Sequence, residues 1–501
     1  MPARTGAQYI ADLQKMKRGI WIGGEHVEDV TTHPATRHGV ASYAHLYDMQ
    51  HDPALRDVMT YPSPTTGDRV GMSFLTPRTP TDIALRREMM RQWANYSGGM
   101  MGRTPDYVNT SFMAMAAASD YFAANDPRFG ENIRNYYEYI REHDLCLTHT
   151  LINPQANRSK GVNEQADPYL PAGIVTTNSD GVVIRGCRML ATSAPLADEI
   201  MVFPSTVVKN ENADKYAFAF SIPTDTPGMK FVCRESLDQG KSHFDHPLAS
   251  RFEEMDAIVI FDDVTVPWER MFLLGDMERC NGCYGATDAV VHMMHQVAIK
   301  NIAKAEFLLG VILMMIETVA IEPFQHVQEK AAEVMTYLET MKACLRAAEA
   351  DAHLDAWGVM TPARMPLDIA RNMFPKMYPR IIEIIQLLGA SGLMATATEA
   401  DFAGPVAADV TKYLQAANAD GKERVRLYRL AWDVACSGFG GRQELYERYF
   451  FGDPIRMMSA LYFGYDKEPL KERIRSFLHQ DDAAVPTTQE PQSIPLVAIG
   501  D

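Results

Sequence analysis

The chain has 501 residues, enough for two or three domains around a large apolar core. Its 64 acidic residues outnumber its 48 basic residues and give a formal net charge of -16, which argues against nucleic acid or an anionic membrane surface as the main partner. The longest apolar run, residues 307–316, is too short to span a bilayer, the N-terminus carries no hydrophobic signal region, and the seven scattered cysteines fit reduced thiols. We therefore expect a cytoplasmic protein.

Helical periodicity dominates residues 1–145, which we predict to form an N-terminal helical domain. Thr79-Pro80-Thr81-Asp82 is a helix start signal ahead of a long amphipathic run, and two further periodic segments follow it. Within a mixed segment near the N-terminus, the sequence around Gly23-Gly24 predicts a short β-hairpin.

Short β-rich segments fill residues 146–273, which we predict to form the middle domain. Asn178-Ser179-Asp180-Gly181 separates two of these segments and is a strong hairpin signal. Because the strands follow one another without intervening helices, the pattern favours an antiparallel sheet or a small barrel.

Helical patterns return after Trp268, and residues 274–501 are predicted to form a C-terminal helical domain. Periodic segments at residues 286–320, 325–355, 379–394 and 422–438 predict an antiparallel four-helix bundle. The last twenty or so residues are polar and proline-rich before a short apolar end, which suggests a tail that docks on another subunit.

Three other motifs carry little chemistry by themselves. Gly438-Phe439-Gly440-Gly441 follows a helical run, so it fails as a Rossmann turn and fits a helix terminus, where a flavin can also rest. Cys280 and Cys283 form a CxxC pair without a second ligand pair for zinc and without the context of a redox motif. His292 and His295 share a helical face without a third ligand, so we expect them to pack in the bundle. The sequence predicts no metal site.

Residues 100–109 hold the richest candidate site. Thr104 is a good N-cap and Pro105 a favoured first helical residue, which places Arg103 just outside a helix and Tyr107 on its first turn. A guanidinium, a phenol hydroxyl and free N–H groups at the positive end of a helix dipole suit a developing oxyanion such as a phenolate. Taken alone, however, these residues fit an ordinary ion pair and a core tyrosine better.

His149 lies between two threonines, at the junction of the predicted helical and β domains. Such a histidine is either a satisfied loop residue or an acid–base group with a pKa near neutrality, and the residue types do not decide between them.

Eight longer motifs, spread over nearly the whole chain, together resemble the 4-hydroxyphenylacetate 3-monooxygenase family of two-component, flavin-dependent phenol hydroxylases. They are RTGAQYI (residues 4–10), VEDVTTHP (27–34), LYDMQHDP (46–53), MGRTPDY (101–107), THTLINPQ (148–155), ADEIMVFPST (197–206), HPLASRFEEMDAIVIFDDVTVPWE (246–269) and GRQELYER (441–448).

The resemblance implies an α+β, mainly α, acyl-CoA-dehydrogenase-like fold. Its parts would be an N-terminal helical domain (1–145), a middle antiparallel β-barrel (146–273) and a C-terminal four-helix bundle with a tetramerisation tail (274–501). It also implies a homotetramer that takes FAD as FADH2 from a separate NAD(P)H:flavin oxidoreductase and uses O2 as co-substrate. The lack of a nicotinamide motif in the sequence agrees with that division of labour.

The resemblance also implies roles for individual residues. Arg103, Tyr107 and His149 would surround the phenol hydroxyl as catalytic residues, and Ser205 and Thr206 would hold the carboxylate end of the substrate. The flavin contacts would be His149, Thr150, Leu151, Gln155, Arg158, Thr192, Gly440, Gly441, Arg442 and Gln443.

The implied reaction hydroxylates a para-substituted phenol beside its hydroxyl group, through a C4a-hydroperoxyflavin, to give a catechol. Family members that act on halophenols, nitrophenols or heteroaromatic acids are the alternative. Related CoA-linked dehydratases carry an iron–sulfur cluster, but residues 1–145 contain no cysteine that could ligate one. A non-catalytic helical scaffold would need no flavin at all.

Overall fold

The computed structural model describes residues 3–154, 156–203, 213–238 and 240–479. Met1–Phe451 form one compact unit and Gly452–Asp501 a second. No helix within the described ranges is long and apolar enough to cross a membrane.

Helices occupy both ends of the first unit. They are α1 (Gly6–Lys15), α2 (Arg37–Asp48), α3 (Arg56–Met59), α4 (Pro80–Tyr96), α5 (Asp106–Ala117), α6 (Ser119–Ala123), α7 (Pro127–His143), α8 (Met277–Ala286), α9 (Ala289–Thr318), α10 (Gln325–Ala350), α11 (Arg364–Met394), α12 (Ala407–Tyr413), α13 (Gly421–Ala435) and α14 (Gly438–Tyr449). The predicted start of α4 is confirmed, because Thr79 and Asp82 form a reciprocal capping box.

Most strands lie between α7 and α8. The strands are β1 (Gly19–Ile22), β2 (Glu25–His26), β3 (Thr60–Pro62), β4 (Arg69–Gly71), β5 (Leu147–Thr150), β6 (Gly173–Thr177), β7 (Gly181–Thr192), β8 (Glu199–Val202), β9 (Phe218–Pro223), β10 (Met229–Cys233), β11 (Asp256–Pro267), β12 (Met271–Leu274), β13 (His353–Leu354) and β14 (Met360–Thr361). Both predicted hairpins form, β1–β2 and β6–β7.

The middle strands form two sheets, in the orders β2-β1-β10-β11-β7-β6 and β12-β9-β8-β5. Most strand pairs in these sheets are antiparallel, as the pattern favoured, but β1 pairs with β10 and β5 pairs with β8 in parallel. Each parallel pair joins strands that are far apart in the chain, which no turn signal announces. Within the described ranges each sheet keeps two edge strands, so barrel closure stays a prediction.

The four predicted bundle helices are confirmed as α9, α10, α11 and α13. Helix α11 begins at Arg364 rather than at residue 379, since it continues through Pro375 and Pro379. A proline inside a helix removes one backbone hydrogen bond and usually marks a boundary, which is why the sequence pattern predicted a later start. Buried apolar side chains of the helices and of both sheets join in one continuous core.

The second unit contains α15 (Pro454–Gly464) and α16 (Glu468–Leu478). Both helices carry large apolar side chains that stay exposed, and Ile455 and Phe463 are 80% and 77% accessible. On α16, Leu470, Ile474 and Phe477 recur at helical spacing and are more than half exposed.

Candidate active site

Arg103 lies in the turn that leads from α4 into α5. The turn packs tightly against α14, since a Cβ atom on Gly102 would come within 2.2 Å of the Tyr446 hydroxyl. The predicted side-chain cap at Thr104 is wrong: Pro105 already has helical dihedral angles and occupies the N-cap position, without a side-chain cap bond. Arg103 and Tyr107 nevertheless lie where the sequence placed them, just outside the helix and on its first turn.

The Arg103 backbone is fixed from two sides. Its N–H donates to Glu254 Oε1 at 2.7 Å, and its carbonyl accepts from the Tyr43 hydroxyl at 2.8 Å. The side chain is 8% exposed, and Nη2 donates to the Phe450 carbonyl at 3.1 Å. These bonds hold the guanidinium in one place before any ligand arrives.

Three aromatic rings surround that guanidinium. Its central carbon lies 4.0 Å from the Tyr107 ring centre, 5.2 Å from Phe450 and 5.5 Å from Tyr446. Burial lowers the pKa of Arg103, but Tyr107, Tyr446 and Glu254 outweigh that effect and raise it overall, so the charge is permanent. Nε and Nη1 are buried and have no hydrogen-bond partner among the described residues. Two donors therefore remain for a ligand.

His149 lies on β5, beside Tyr107. The two rings are tilted at 37° with centroids 5.4 Å apart, and both side chains are buried. Burial, and then the positive charge of Arg103, hold the pKa of His149 well below its ordinary value. Burial also raises the pKa of Tyr107, partly offset by Arg103. At neutral pH the site therefore contains a cation, a neutral imidazole and a neutral phenol.

Thr192 and Arg442, both predicted to contact a flavin, meet at Asp256. The Thr192 hydroxyl donates to Asp256 Oδ1 at 2.7 Å, and Arg442 donates to both carboxylate oxygens at 2.8 and 3.0 Å. Arg442 also donates to Glu254 Oε2 at 2.9 Å, and Glu254 in turn accepts from Arg103. The buried Glu254 and the partly buried Asp256 thus connect the predicted flavin loop to the predicted phenol site.

The loop at the start of α14 is a helix terminus, as predicted. Ser437 caps it by accepting from the Gly440 N–H, and a Cβ atom at Gly440 would collide with the Val434 carbonyl at 2.3 Å. Gln443 is buried, donates to the Met100 carbonyl at 3.0 Å and accepts from Lys304 at 2.8 Å. Its side chain therefore anchors α14 to the Arg103 turn, whereas a Cβ at Gly441 would meet open space.

The segment after β5 lies near two groups that suit an anionic cofactor. Arg188 is 1% exposed and donates to the Leu151 carbonyl at 3.3 Å, while its Nε and Nη2 have no partner among the described residues. Burial lowers the pKa of Arg188 to about 10. Arg158 and Lys160 lie in a separate open cleft of about 220 Å³ beside Asn153. Unpaired guanidinium donors and a cationic cleft fit an isoalloxazine with an attached pyrophosphate.

Some predicted site residues were not placed. Gln155, Ser205 and Thr206 lie outside the described residues. The Thr150 hydroxyl is turned to the Met189 carbonyl at 3.1 Å, and the Thr150 carbonyl accepts from the Phe203 N–H at 3.3 Å. The strand that leads to Ser205 is thereby tied to the strand that carries His149.

The sequence analysis did not identify three residues that contact Arg103, namely Tyr446, Phe450 and Glu254. Tyr446 and Phe450 are four residues apart on the α14 side, and their stacked rings lie under the guanidinium. Their helical spacing was a usable signal, but it also fits any core helix. Glu254 had no local signal, because its partners come from the distant Arg103 turn and from α14.

The histidine pair and the cysteine pair noted in the sequence are both part of the packed helices. His292 bonds to Arg86 at 2.7 Å and His295 to Glu349 at 2.8 Å, so the expected packing is confirmed. Cys280 and Cys283 are buried free thiols on α8, and burial raises the pKa of Cys280 to about 12.

Comparison with known families matched residues 5–273 to the family described as 4-hydroxyphenylacetate 3-hydroxylase N terminal and residues 280–479 to its C-terminal counterpart. A 4-hydroxyphenylacetate 3-monooxygenase oxygenase component from Geobacillus sp. (strain PA-9) is 55% identical over 480 residues, 95% of this chain and 97% of the relative. A 4-nitrophenol 2-monooxygenase oxygenase component from Rhodococcus sp. is 29% identical over 95% of this chain and 91% of the relative.

Solved structures support the same family assignment. The oxygenase component of 4-hydroxyphenylacetate 3-monooxygenase complexed with FAD and 4-hydroxyphenylacetate superposes with a TM-score of 0.92 at 52% identity, covering 95% of this chain and 99% of that one. A 4-hydroxybutyryl-CoA dehydratase from N. maritimus has a TM-score of 0.85 at 19% identity, covering 98% and 97%, and shares the fold.

Proposed function

The chain belongs to the 4-hydroxyphenylacetate 3-hydroxylase family, and on that premise we propose that it is a FADH2-dependent oxygenase component that hydroxylates 4-hydroxyphenylacetate at the carbon beside its hydroxyl group. The observation that carries the proposal is the convergence of Arg103, Tyr107 and His149 around one buried position. Two unpaired Arg103 donors there suit a phenol oxygen that becomes negatively charged.

Arg103 acts first as a charge. In a dry pocket its fixed guanidinium lowers the pKa of a bound phenol, and the phenolate supplies the electron density that the ring carbon needs for attack on an electrophilic oxygen. Tyr107, neutral, donates a hydrogen bond to the same oxygen. His149 is also neutral, because burial and the charge of Arg103 hold its pKa well below the ordinary value. A ring nitrogen of His149 accepts a hydrogen bond from the phenol, and the negative charge that forms on the phenol oxygen raises the pKa of His149 and lets it take up the proton.

The residues near Leu151 fit the cofactor. Arg188 would hold an electron-rich edge of the isoalloxazine through Nε and Nη2, and the Arg158 cleft would take the pyrophosphate. Thr192, Gly440, Gly441 and the Arg442–Gln443 pair would border the same cofactor. When bound, reduced FAD supplies the activated oxygen. The part of the protein is to position the phenol and to exclude water.

The finer assignments are also proposals. Ser205 and Thr206 would hold the substrate carboxylate, and an NAD(P)H:flavin oxidoreductase would supply FADH2, as the name "oxygenase component" of the relatives supports. The exposed apolar stripes of α15 and α16 support a homotetramer in which these helices contact another subunit. All seven cysteines are free, which suits a reducing cytoplasm.

The test combines the purified chain with FAD, NADH and a generic flavin reductase. With 4-hydroxyphenylacetate we expect the 3,4-dihydroxy product in near-stoichiometric ratio to NADH, and lower coupling with 4-nitrophenol or a halophenol. Oxidation of NADH without a hydroxylated product from 4-hydroxyphenylacetate would refute the proposal. Preferential coupling with 4-nitrophenol would assign the chain to a different substrate.

A further inference from the structure

Tyr284, on α8, carries a buried hydroxyl that takes no part in the contacts described above. Its ring packs against Phe203 with centroids 5.7 Å apart and planes at 45°. The hydroxyl oxygen is shielded from solvent and has no hydrogen-bond partner among the described residues. An unpaired buried hydroxyl is unfavourable in the protein alone, and a ligand that accepts a hydrogen bond from it would remove that cost.

The same side chain is linked through Phe203 to the strand that carries His149. Burial raises the pKa of Tyr284, Cys283 and Tyr107 add to that rise, and the positive charge of Arg103 opposes it. Phe203 directly follows β8, and its N–H donates to the Thr150 carbonyl, one residue beyond His149. Through Phe203, Tyr284 therefore lies beside the pair of strands, β5 and β8, that includes His149.

We propose that Tyr284 is a further substrate-binding residue, whose hydroxyl donates a hydrogen bond to an acidic substituent para to the phenol oxygen. The inference rests on the proposed function, since it requires a phenol held at Arg103. A para substituent points away from the hydroxyl end of the ring, and in the proposed binding mode it is directed toward Phe203. Tyr284 would thereby favour phenols with a short carboxylate arm over phenols with an apolar arm.

An unpaired hydroxyl by itself is not sufficient for this assignment. The Tyr446 hydroxyl is also unpaired, but it packs against Gly102, so no ligand atom fits between them. The Tyr378 hydroxyl is unpaired within α11, beside the buried Lys304 of the bundle. Tyr284 differs from both by its contact with Phe203.

The experiment compares Tyr284→Phe with Tyr378→Phe, which removes the same atom from a tyrosine whose hydroxyl is also buried and unpaired. Binding of 4-hydroxyphenylacetate and of 4-methylphenol to the full chain with FAD is measured by titration calorimetry. We expect Tyr284→Phe to weaken binding of the carboxylate by about tenfold or more, as for a hydrogen bond to a charged group, and to leave 4-methylphenol within about twofold of wild type. Tyr378→Phe should change neither.

Two results would overturn the inference: an equal loss for both ligands, or no loss for the carboxylate. The melting temperature without ligand gives a second readout. It should stay equal or rise in Tyr284→Phe because the hydroxyl has no protein partner to lose, and a clear fall would show that it already bonds within the chain.

The outcome for the wild type separates this inference from the proposed function. If the wild type neither binds nor hydroxylates 4-hydroxyphenylacetate, the proposed function fails and the inference fails with it. If the wild type hydroxylates it and Tyr284→Phe keeps the full preference for the carboxylate, the inference alone fails.

Discussion

Replacing Arg103 with methionine removes a charge but keeps an unbranched side chain that fills much of the same volume. The guanidinium lies 4.0 Å from the Tyr107 ring, within a buried site. At a separation of about 5 Å and an effective dielectric constant of about 20, one unit charge stabilises a phenolate by about 3 kcal/mol, or about 2 pKa units. We therefore expect the pKa of the bound phenol to be about 2 units higher in Arg103→Met than in the wild type.

Two measurements check this expectation. Ultraviolet difference spectra of bound 4-hydroxyphenylacetate, recorded as a function of pH, give the pKa of the phenol in each protein. The ratio of catechol formed to FADH2 oxidised should fall about tenfold or more in Arg103→Met, while oxidation of FADH2 continues. Arg86→Met is the control, because Arg86 is also a buried arginine but bonds to His292 instead. Equal phenol pKa values in Arg103→Met and wild type would refute the electrostatic role.

Three further outcomes follow from the buried charges. Glu254→Gln keeps an acceptor for the Arg103 N–H but loses the negative charge that faces Arg442. We expect the free energy of unfolding, measured by urea denaturation, to fall by about 1.5–3 kcal/mol and the ratio of catechol formed to FADH2 oxidised to fall as well. An unchanged ratio would contradict a positioning role for Glu254. Glu447→Gln leaves Lys300 and Lys304 without the carboxylate that they share. We expect the free energy of unfolding, measured by urea denaturation, to fall by about 3–5 kcal/mol. A fall of less than about 1 kcal/mol would contradict the buried ion pairs. Burial lowers the pKa of Lys300 to about 7, so between about pH 7 and pH 10 the unfolded chain binds the extra proton and stability rises with pH. Lys300→Met should flatten that slope, and an unchanged slope would exclude Lys300 as its cause.

Local signals predicted much of the fold. The Thr79–Asp82 box starts a helix, the Asn178-to-Gly181 turn closes a hairpin, and apolar periodicity gave the long bundle helices. Pairings between distant segments were not predictable in this way. In the β1–β10 pair, Gly19 lies opposite Lys230, and only the complete core brings these residues together.

In the candidate site, too, local signals were predictive and contacts between distant segments were not. The helix-start signal placed Arg103 just outside a helix and Tyr107 on its first turn, although the predicted Thr104 cap does not form. The family resemblance added His149, whose neighbours in the chain could not show that it meets Tyr107. The residues beneath and beside Arg103 come from other elements and stayed hidden. Phe450 follows α14, and Glu254 precedes β11, so their importance depends on tertiary contacts that periodicity does not encode.

Glu254 and Arg103 have different functions in the site, because the polar atoms of Glu254 are paired and two donors of Arg103 are not. Each Glu254 carboxylate oxygen accepts a hydrogen bond, one from the Arg103 backbone and one from Arg442, so Glu254 fixes the turn to α14. Arg103 has the opposite character, with its backbone fully bonded and two side-chain donors unpaired. A charge held rigidly by its backbone needs little reorganisation when an oxyanion forms beside it, which makes it more effective than a mobile charge of the same size. Loosening the Glu254 contacts should therefore reduce coupling even though Glu254 itself touches no substrate.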